Sequence, residues 1–326
     1  MRARGERGVT PKADALVSIV IPCYNQQRFL GDALASARLQ SYEPIQVIVV
    51  DDGSTEDVAS TVWRRAGVQF IREPNSGVAS ARNIGFLYSR GRYVVFLDSD
   101  DRLAPDAIAE GVAVLQANRD AGAAVGRCRM IGPAGEPRPI WGPSRRVHPD
   151  AYLELLRGNF IWMPAQVMYR RDAFVATGGF DGAVDACADY DLYLRMARMS
   201  RLAVHRRVVA DYRRHEDNMS SDASLMLRFT LAVLDRQEPY IGGHERYRRA
   251  LAAGRRFWKE FYGGQLVETI RREARTPGRR LRALQGALAL LRYDPARFAW
   301  HAGRKVRCLA RDLVTGSGSG DSLLPS

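Results

Sequence analysis

Between Val17 and Leu97, short, mostly apolar runs take turns with stretches whose apolar residues recur at helical spacing. The runs are Val17 to Ile21, Ile45 to Val50, Val68 to Ile71 and Tyr93 to Leu97. They do not alternate apolar with polar residues, which suits strands buried on both faces. Gln26 to Leu39 spaces Phe29, Leu30, Ala33, Leu34 and Ala37 along one helical face. Glu56 to Arg65, capped by Ser54 or Thr55, and Gly77 to Ser89 read as the next two helices. This alternation predicts an α/β fold with a mostly parallel sheet flanked by helices.

Beyond Asp101 the rhythm loosens. Pro105 to Asn118 reads as a helix, Ala123 to Ile131 as a strand, and Gly132 to Pro143 as a Gly/Pro-rich loop. A strand at Val167 to Tyr169, a helix at Asp189 to Met199 and a strand at Leu202 to Val209 follow. Past Asp222 only helical patterns remain. The expected organisation is an α/β body over 17–222 and a helical extension over 223–315, with flexible tails at 1–16 and 316–326.

Composition narrows the setting. With 46% hydrophobic and 26% charged residues, the chain has the make-up of a globular protein rather than a disordered one. Cys23, Cys128, Cys187 and Cys308 are far apart and show no metal-ligand spacing, which fits a reducing compartment. No apolar stretch approaches the ~20 residues a bilayer requires, and the first residues lack a secretory signal's apolar core. A cytoplasmic protein is expected. The net charge of +13 is uneven: residues 223–326 hold 20 Lys and Arg against 9 Asp and Glu. Such a basic region suits nucleic acid, an anionic membrane surface or an acidic substrate.

The chemistry gathers at strand ends. After Tyr93 to Leu97 come Asp98, Asp100 and Asp101, separated only by Ser99. Crowded acids are costly unless a cation gathers them. Strand carboxyl ends are where α/β sheets bind ligands, and hard oxygens there suit Mg²⁺ or Mn²⁺ on a substrate phosphate. A solvated acidic turn is the structural alternative. PCYN (Pro22 to Asn25) ends the first strand and DDGS (Asp51 to Ser54) the second, while NSGVASARNIG (Asn75 to Gly85) opens the third helix. GGFD (Gly178 to Asp181) and ADYDL (Ala188 to Leu192) come later. The absence of G-x-G-x-x-G after the first strand argues against a dehydrogenase. Tyr24 can stack on a flat base or be a half-buried core residue. Asp51 can accept from an imide N–H or serve a turn. Arg82 can neutralise a diphosphate or be a surface arginine.

Taken in order, these segments resemble the family 2 glycosyltransferases of the GT-A fold, over about residues 17–220. The resemblance implies a Rossmann-like catalytic domain with a nucleotide-binding half (17–101) and an acceptor half (102–222). It implies that Pro22, Tyr24, Asn25, Asp51, Gly77, Arg82, Asp98 and Ser99 bind a nucleotide sugar, with Asp51 reading uracil. Asp100 and Asp98 would hold Mn²⁺ or Mg²⁺, with His215 of YRRHEDNMS as a further ligand. Asp189 would be the base of an inverting transfer to a saccharide or lipid-linked acceptor. The family carries Glu-Asp at that helix start; here the first position is Ala188, so burial must supply any upward pKa shift of Asp189. The expected setting is cell-surface polysaccharide or glycolipid synthesis.

Two rivals remain open. A sugar nucleotidyltransferase would carry a Gly-rich loop with a basic residue after the first strand, and PCYNQQR lacks the glycines. A non-catalytic sugar-nucleotide or nucleic-acid binder would suit the broken pair and the basic extension, although nucleic acid is not the expected partner. In that extension Leu281, Leu284, Leu288 and Leu291 form a helical stripe beside Arg280, Arg282 and Arg292. The helix can lie on an anionic membrane face or pack against the catalytic domain. Trp141 and Trp162 can each be a sugar platform or a core residue.

Overall fold

A computed structural model describes residues 15–63, 66–141 and 148–303. The expected C-terminal tail and most of the N-terminal one lie outside these residues. Strand β1 (Val17–Cys23) pairs with β2 (Ile45–Asp51) and β4 (Tyr93–Phe96), and β3 (Val68–Arg72) pairs with β2, all parallel. Register sets Cys23 beside Asp51 and Val20 beside Phe96, so the loops after β1, β2 and β4 leave the sheet at one edge. Successive side chains enter different cores. Ile19, Ile21, Val47, Val49 and Val95 pack with α1 (Gln27–Arg38) and α2 (Val58–Trp63). Val20, Ile48, Val50, Val94 and Phe96 pack with α3 (Val78–Tyr88). Burial on both faces explains the mostly apolar runs of β1, β2 and β4, whereas the edge strand β3 is only partly buried.

The second half of the sheet is mixed. After β5 (Arg102–Leu103) and α4 (Ala107–Ala117) come β6 (Ala121–Ile131), β7 (Pro137–Trp141), α5 (Ala151–Arg157), β8 (Val167–Arg170) and α6 (Arg171–Thr177). Next are α7 (Ala188–Met199) and β9 (Arg201–Arg213). The order is β3-β2-β1-β4-β8-β6-β9-β5, with β7 on β6. Only β6 and β9 are parallel in this half; β4–β8, β6–β8, β5–β9 and β6–β7 are antiparallel. The expected loop at Gly132 to Pro143 thus contains strand β7. Its prolines disguise it in the sequence and are tolerated because it bonds only to β6.

The extension comprises α8 (Ala223–Asp235), α9 (Glu238–Ile241), α10 (Glu245–Arg275) and α11 (Arg280–Tyr293), and residues 295–303 are also helical. These helices share the sheet's core: Leu251, Trp258, Tyr262 and Leu266 of α10 join Tyr190 and Leu192 of α7. Contact between α10 and α5 is at backbone distance, since a Cβ on Gly254 would sit 2.0 Å from the Leu156 carbonyl oxygen. None of the described helices is long and apolar enough to cross a membrane. Gly254→Ala therefore forces α10 outward and is expected to cost about 1–3 kcal/mol. Thermal melting checks this, and an unchanged midpoint would refute so close an approach.

Candidate active site

A cavity of about 570 Å³ opens along the shared strand edge. Pro22, Tyr24, Gly77, Arg82, Asp98, Ser99, Asp100 and Asp189 all line it, whereas Asn25, Asp51 and His215 lie outside the lining. Tyr24 is 48% exposed, so it is not a core residue. Asn25, at a positive φ of 50°, ties the first loop to the second: its N–H donates to Ser54 Oγ and its Oδ1 accepts from Thr55 N. Asp51 is fully buried; Oδ1 accepts from Ser54 N, while Oδ2 makes no hydrogen bond and lies 3.6 Å from Arg72 Nε. Cys23 and Cys187 also line the cavity, but burial pushes each thiol up to about 12, so neither offers a thiolate nucleophile.

The acids of the Asp98–Asp101 cluster have separate partners. Asp98 Oδ1 accepts from Arg82 at 2.6 Å. Burial raises its pKa, Arg82 opposes the rise, and Asp100 adds to it. Asp100 Oδ2 lies 3.0 Å from His215 Nε2 and accepts from Asn218 Nδ2 at 3.2 Å. Asp101 faces inward instead: it is 1% exposed and accepts from Arg213 N. Burial, with Asp100 next, holds its pKa well above the ordinary value. The buried Arg213 donates in turn to Asp100 O, Pro133 O and Asp32. Asp101 and Arg213 therefore fix the end of β9 beneath the cavity.

Asp189 lines the cavity from the first turn of α7. The turn before α7 is clamped to α3. Asn83 Nδ2 donates to Phe180 O, and Phe180 N donates to Asn83 Oδ1. Gly179 sits at φ 72°, and a Cβ there would come within 2.8 Å of Asn83 Oδ1. Asp185 Oδ1 accepts from Ala79 N, and Asp52 accepts from Ser76 N and Gly77 N. Asn83, Asp52 and Asp185 carry no local signal of these roles, because their partners are remote in sequence. Burial pushes the Asp189 carboxyl up to about 6, Arg82 works against this, and Asp98 adds to it. Ala188 is fully buried, so the position beside Asp189 contributes no charge. Asp191 points elsewhere, accepting from Arg195 Nε at 2.7 Å.

The remaining wall is aromatic and comes largely from the extension. Trp162 lines it with Tyr190, Trp258, Phe261, Tyr262 and Gln265. The spacing of Trp258, Phe261 and Tyr262 is a legible helical stripe, which sequence reasoning passed over. Trp141 is in β7, and its side chain lies outside the described residues.

Residues 18–177 match the family described as glycosyl transferase family 2. This segment, 160 of the chain's 326 residues, is a family 2 glycosyl transferase segment. An uncharacterized glycosyltransferase of Rickettsia felis is 28% identical over 224 residues, which is 64% of this chain and 36% of that protein. A chondroitin synthase of Pasteurella multocida is 26% identical over 222 residues, 63% of this chain and 21% of the relative. The family 2 chain thus spans no more than 36% of these relatives' length. S. aureus TarS 1-349, solved in complex with UDP-GlcNAc, superimposes with a TM-score of 0.60 at 16% identity, covering 85% of this chain and 80% of that one. Mannosyltransferase PcManGT from Pyrobaculum calidifontis, in complex with GDP-Man and Mn2+, gives 0.57 at 20% identity over 87% of this chain and 82% of that one. The likeness is one of fold, and the fold is the GT-A type expected.

Among the described residues of the family 2 chain, no group of three or more His, Cys, Asp and Glu side chains is arranged to hold a metal. The donor chemistry nevertheless fits a divalent ion, because the Asp100 carboxylate and His215 imidazole meet beside Asp98 at the cavity. Such a site is incomplete until a diphosphate adds further oxygens.

The raised pKa of Asp189 has a consequence for stability. The folded chain binds this proton more tightly than the unfolded one, so stability falls as pH rises from 3.8 to about 6. Asp189→Asn is expected to be more stable than the parent well above pH 6. The gain is about 2 kcal/mol, allowing for access to the cavity. It should vanish below pH 3.8. Denaturant melts across pH check this; a gain independent of pH would refute it.

Proposed function

We propose that the chain is an inverting glycosyltransferase moving a sugar from a nucleoside-diphosphate donor, a UDP-sugar, to an acceptor hydroxyl. The observation that carries this reading is one cavity lined by Tyr24, Asp98 and Asp100 and also by Asp189, a carboxylate of raised pKa that shares the charge of Arg82 with Asp98. Tyr24 stacks on the base, and Asp51 Oδ2, which is ion-paired with Arg72 but accepts no hydrogen bond, is the acceptor for the base's imide N–H. Pro22, Ser99 and Gly77 line the donor end, and Asn25 holds its loop in shape. Arg214, also in the wall, faces the diphosphate with Asp98 and Asp100. A divalent ion, Mn²⁺ or Mg²⁺, held by Asp100, His215 and Asp98, would supply positive charge against the departing diphosphate.

The acceptor oxygen attacks the anomeric carbon from the face opposite the diphosphate, and the carbon–oxygen bond to the diphosphate breaks. Asp189 takes the hydroxyl proton. With a pKa of about 6 it is ionised at neutral pH yet more basic than an exposed aspartate. The acceptor is a saccharide: Trp162 and Phe261 offer flat apolar faces, and Gln265 an amide without a hydrogen-bond partner among the described residues. A role in cell-surface polysaccharide or glycolipid synthesis fits this wall. The three described cysteines are free and buried, which supports a cytoplasmic setting.

With UDP-sugars and Mn²⁺, transfer is expected to increase through pH 6 to a plateau. Asp189→Asn should cut kcat by about 10²–10⁴ with donor affinity kept. Full activity in that variant would remove Asp189 as base. Pyrophosphate release from a nucleoside triphosphate and a sugar phosphate would favour a nucleotidyltransferase, and donor binding without turnover a binding protein. At the acceptor end, Phe261→Ala and Gln265→Ala are expected to raise the acceptor KM while leaving donor affinity unchanged. An acceptor KM unmoved by both would overturn the saccharide wall.

A further inference from the structure

Helix α11 is apolar on two opposite sides. One side packs on α10: Ala283 and Leu290 are buried, and Gly286 lies against Ile270 and Leu266. The other carries Leu281, Leu284, Leu288 and Leu291, which are 67%, 57%, 57% and 45% exposed. Among the described residues, packing of α11 thus leaves the leucine stripe uncovered, although four leucines on one helical face represent a large unburied apolar area.

Charge selects the occupant. Residues 274–293 contain no Asp or Glu, while Arg275, Arg279, Arg280, Arg282 and Arg292 are exposed there. On a helical projection Arg280 and Arg292 border the leucine stripe on either side. Two copies meeting through this face would bring like charges together as the leucines became buried. An anionic bilayer satisfies both demands, taking the leucines at the acyl boundary and the guanidinium groups among phosphates. We propose that this face of α11 docks the protein on an anionic lipid surface.

Docking would also orient the molecule. Ile270, against which Gly286 packs, is on the same helix as Gln265 of the cavity wall, about 8 Å further along. The surface proposal does not depend on the transfer reading; only the benefit of bringing the acceptor end close to the membrane does.

Flotation of the full chain with phosphatidylcholine vesicles, with and without phosphatidylglycerol, tests this. Binding is expected only with phosphatidylglycerol and should weaken as salt is added. Leu284→Ser/Leu288→Ser should lower partitioning by about tenfold or more, with the melting temperature and activity on a soluble acceptor unchanged. Absence of binding to anionic vesicles would overturn the proposal, as would equal binding by the double variant. A parent dimer that the double variant dissociates would assign the face to a second copy. A fall in melting temperature would assign it to another part of this chain.

Discussion

The buried Arg82 guanidinium is the charge on which the site depends. It is 6% exposed, bonded to Asp98 at 2.6 Å and close enough to Asp189 for their charges to interact. Burial alone would weaken its charge, but the acids outweigh that and raise its pKa, while the Phe180 ring packs 5.3 Å away. Without it, two carboxylates whose pKa values burial already raises would lose the charge that opposes the rise. Arg82 therefore favours the ionised form of both acids, while burial still leaves Asp189 more basic than a surface carboxylate.

The same balance explains how helix α3 is used. A helix start lined by free N–H groups is a ready anion site. Here the protein's own carboxylates fill it, Asp52 at Ser76 and Gly77 and Asp185 at Ala79. Those bonds weld the second strand's loop and the turn before α7 to one helix end, so cavity residues from both share a frame. Under the proposed reading, positive charge for a diphosphate would then come from side chains such as Arg214 or from a bound cation.

Much of this was legible in the sequence, for physical reasons. Strands buried on both faces leave mostly apolar runs, and parallel pairing brings their acidic ends to one edge, so the strands, the Asp98 cluster and Asp189 stand out. The loss of an acid at Ala188 correctly pointed to burial as the main cause of the Asp189 shift. What was hidden depends on long-range partners. The Asn83 clamp, the Asp52 and Asp185 bonds and the Asp101–Arg213 pair look like ordinary loop and helix residues until the fold joins them. Strand β7 was masked by proline, and α5 and α6 are too short for a clear helical period, each being 7 residues long.

The cavity is assembled from separate stretches of the chain. Asp98 and Asp100 belong to the segment that matches the family, residues 18–177, whereas Asp189 and Arg214 lie beyond it, and Trp258, Phe261, Tyr262 and Gln265 come from a helix further along the chain. Because α10 meets α5 at backbone distance along Gly254, its placement depends on shape more than on any charged group of the catalytic end. Under the proposed reading, a change of side chains along one face of this helix would therefore alter the acceptor while Asp98, Asp100 and Asp189 stay untouched. The partner that receives the sugar would then be the interchangeable half of the reaction.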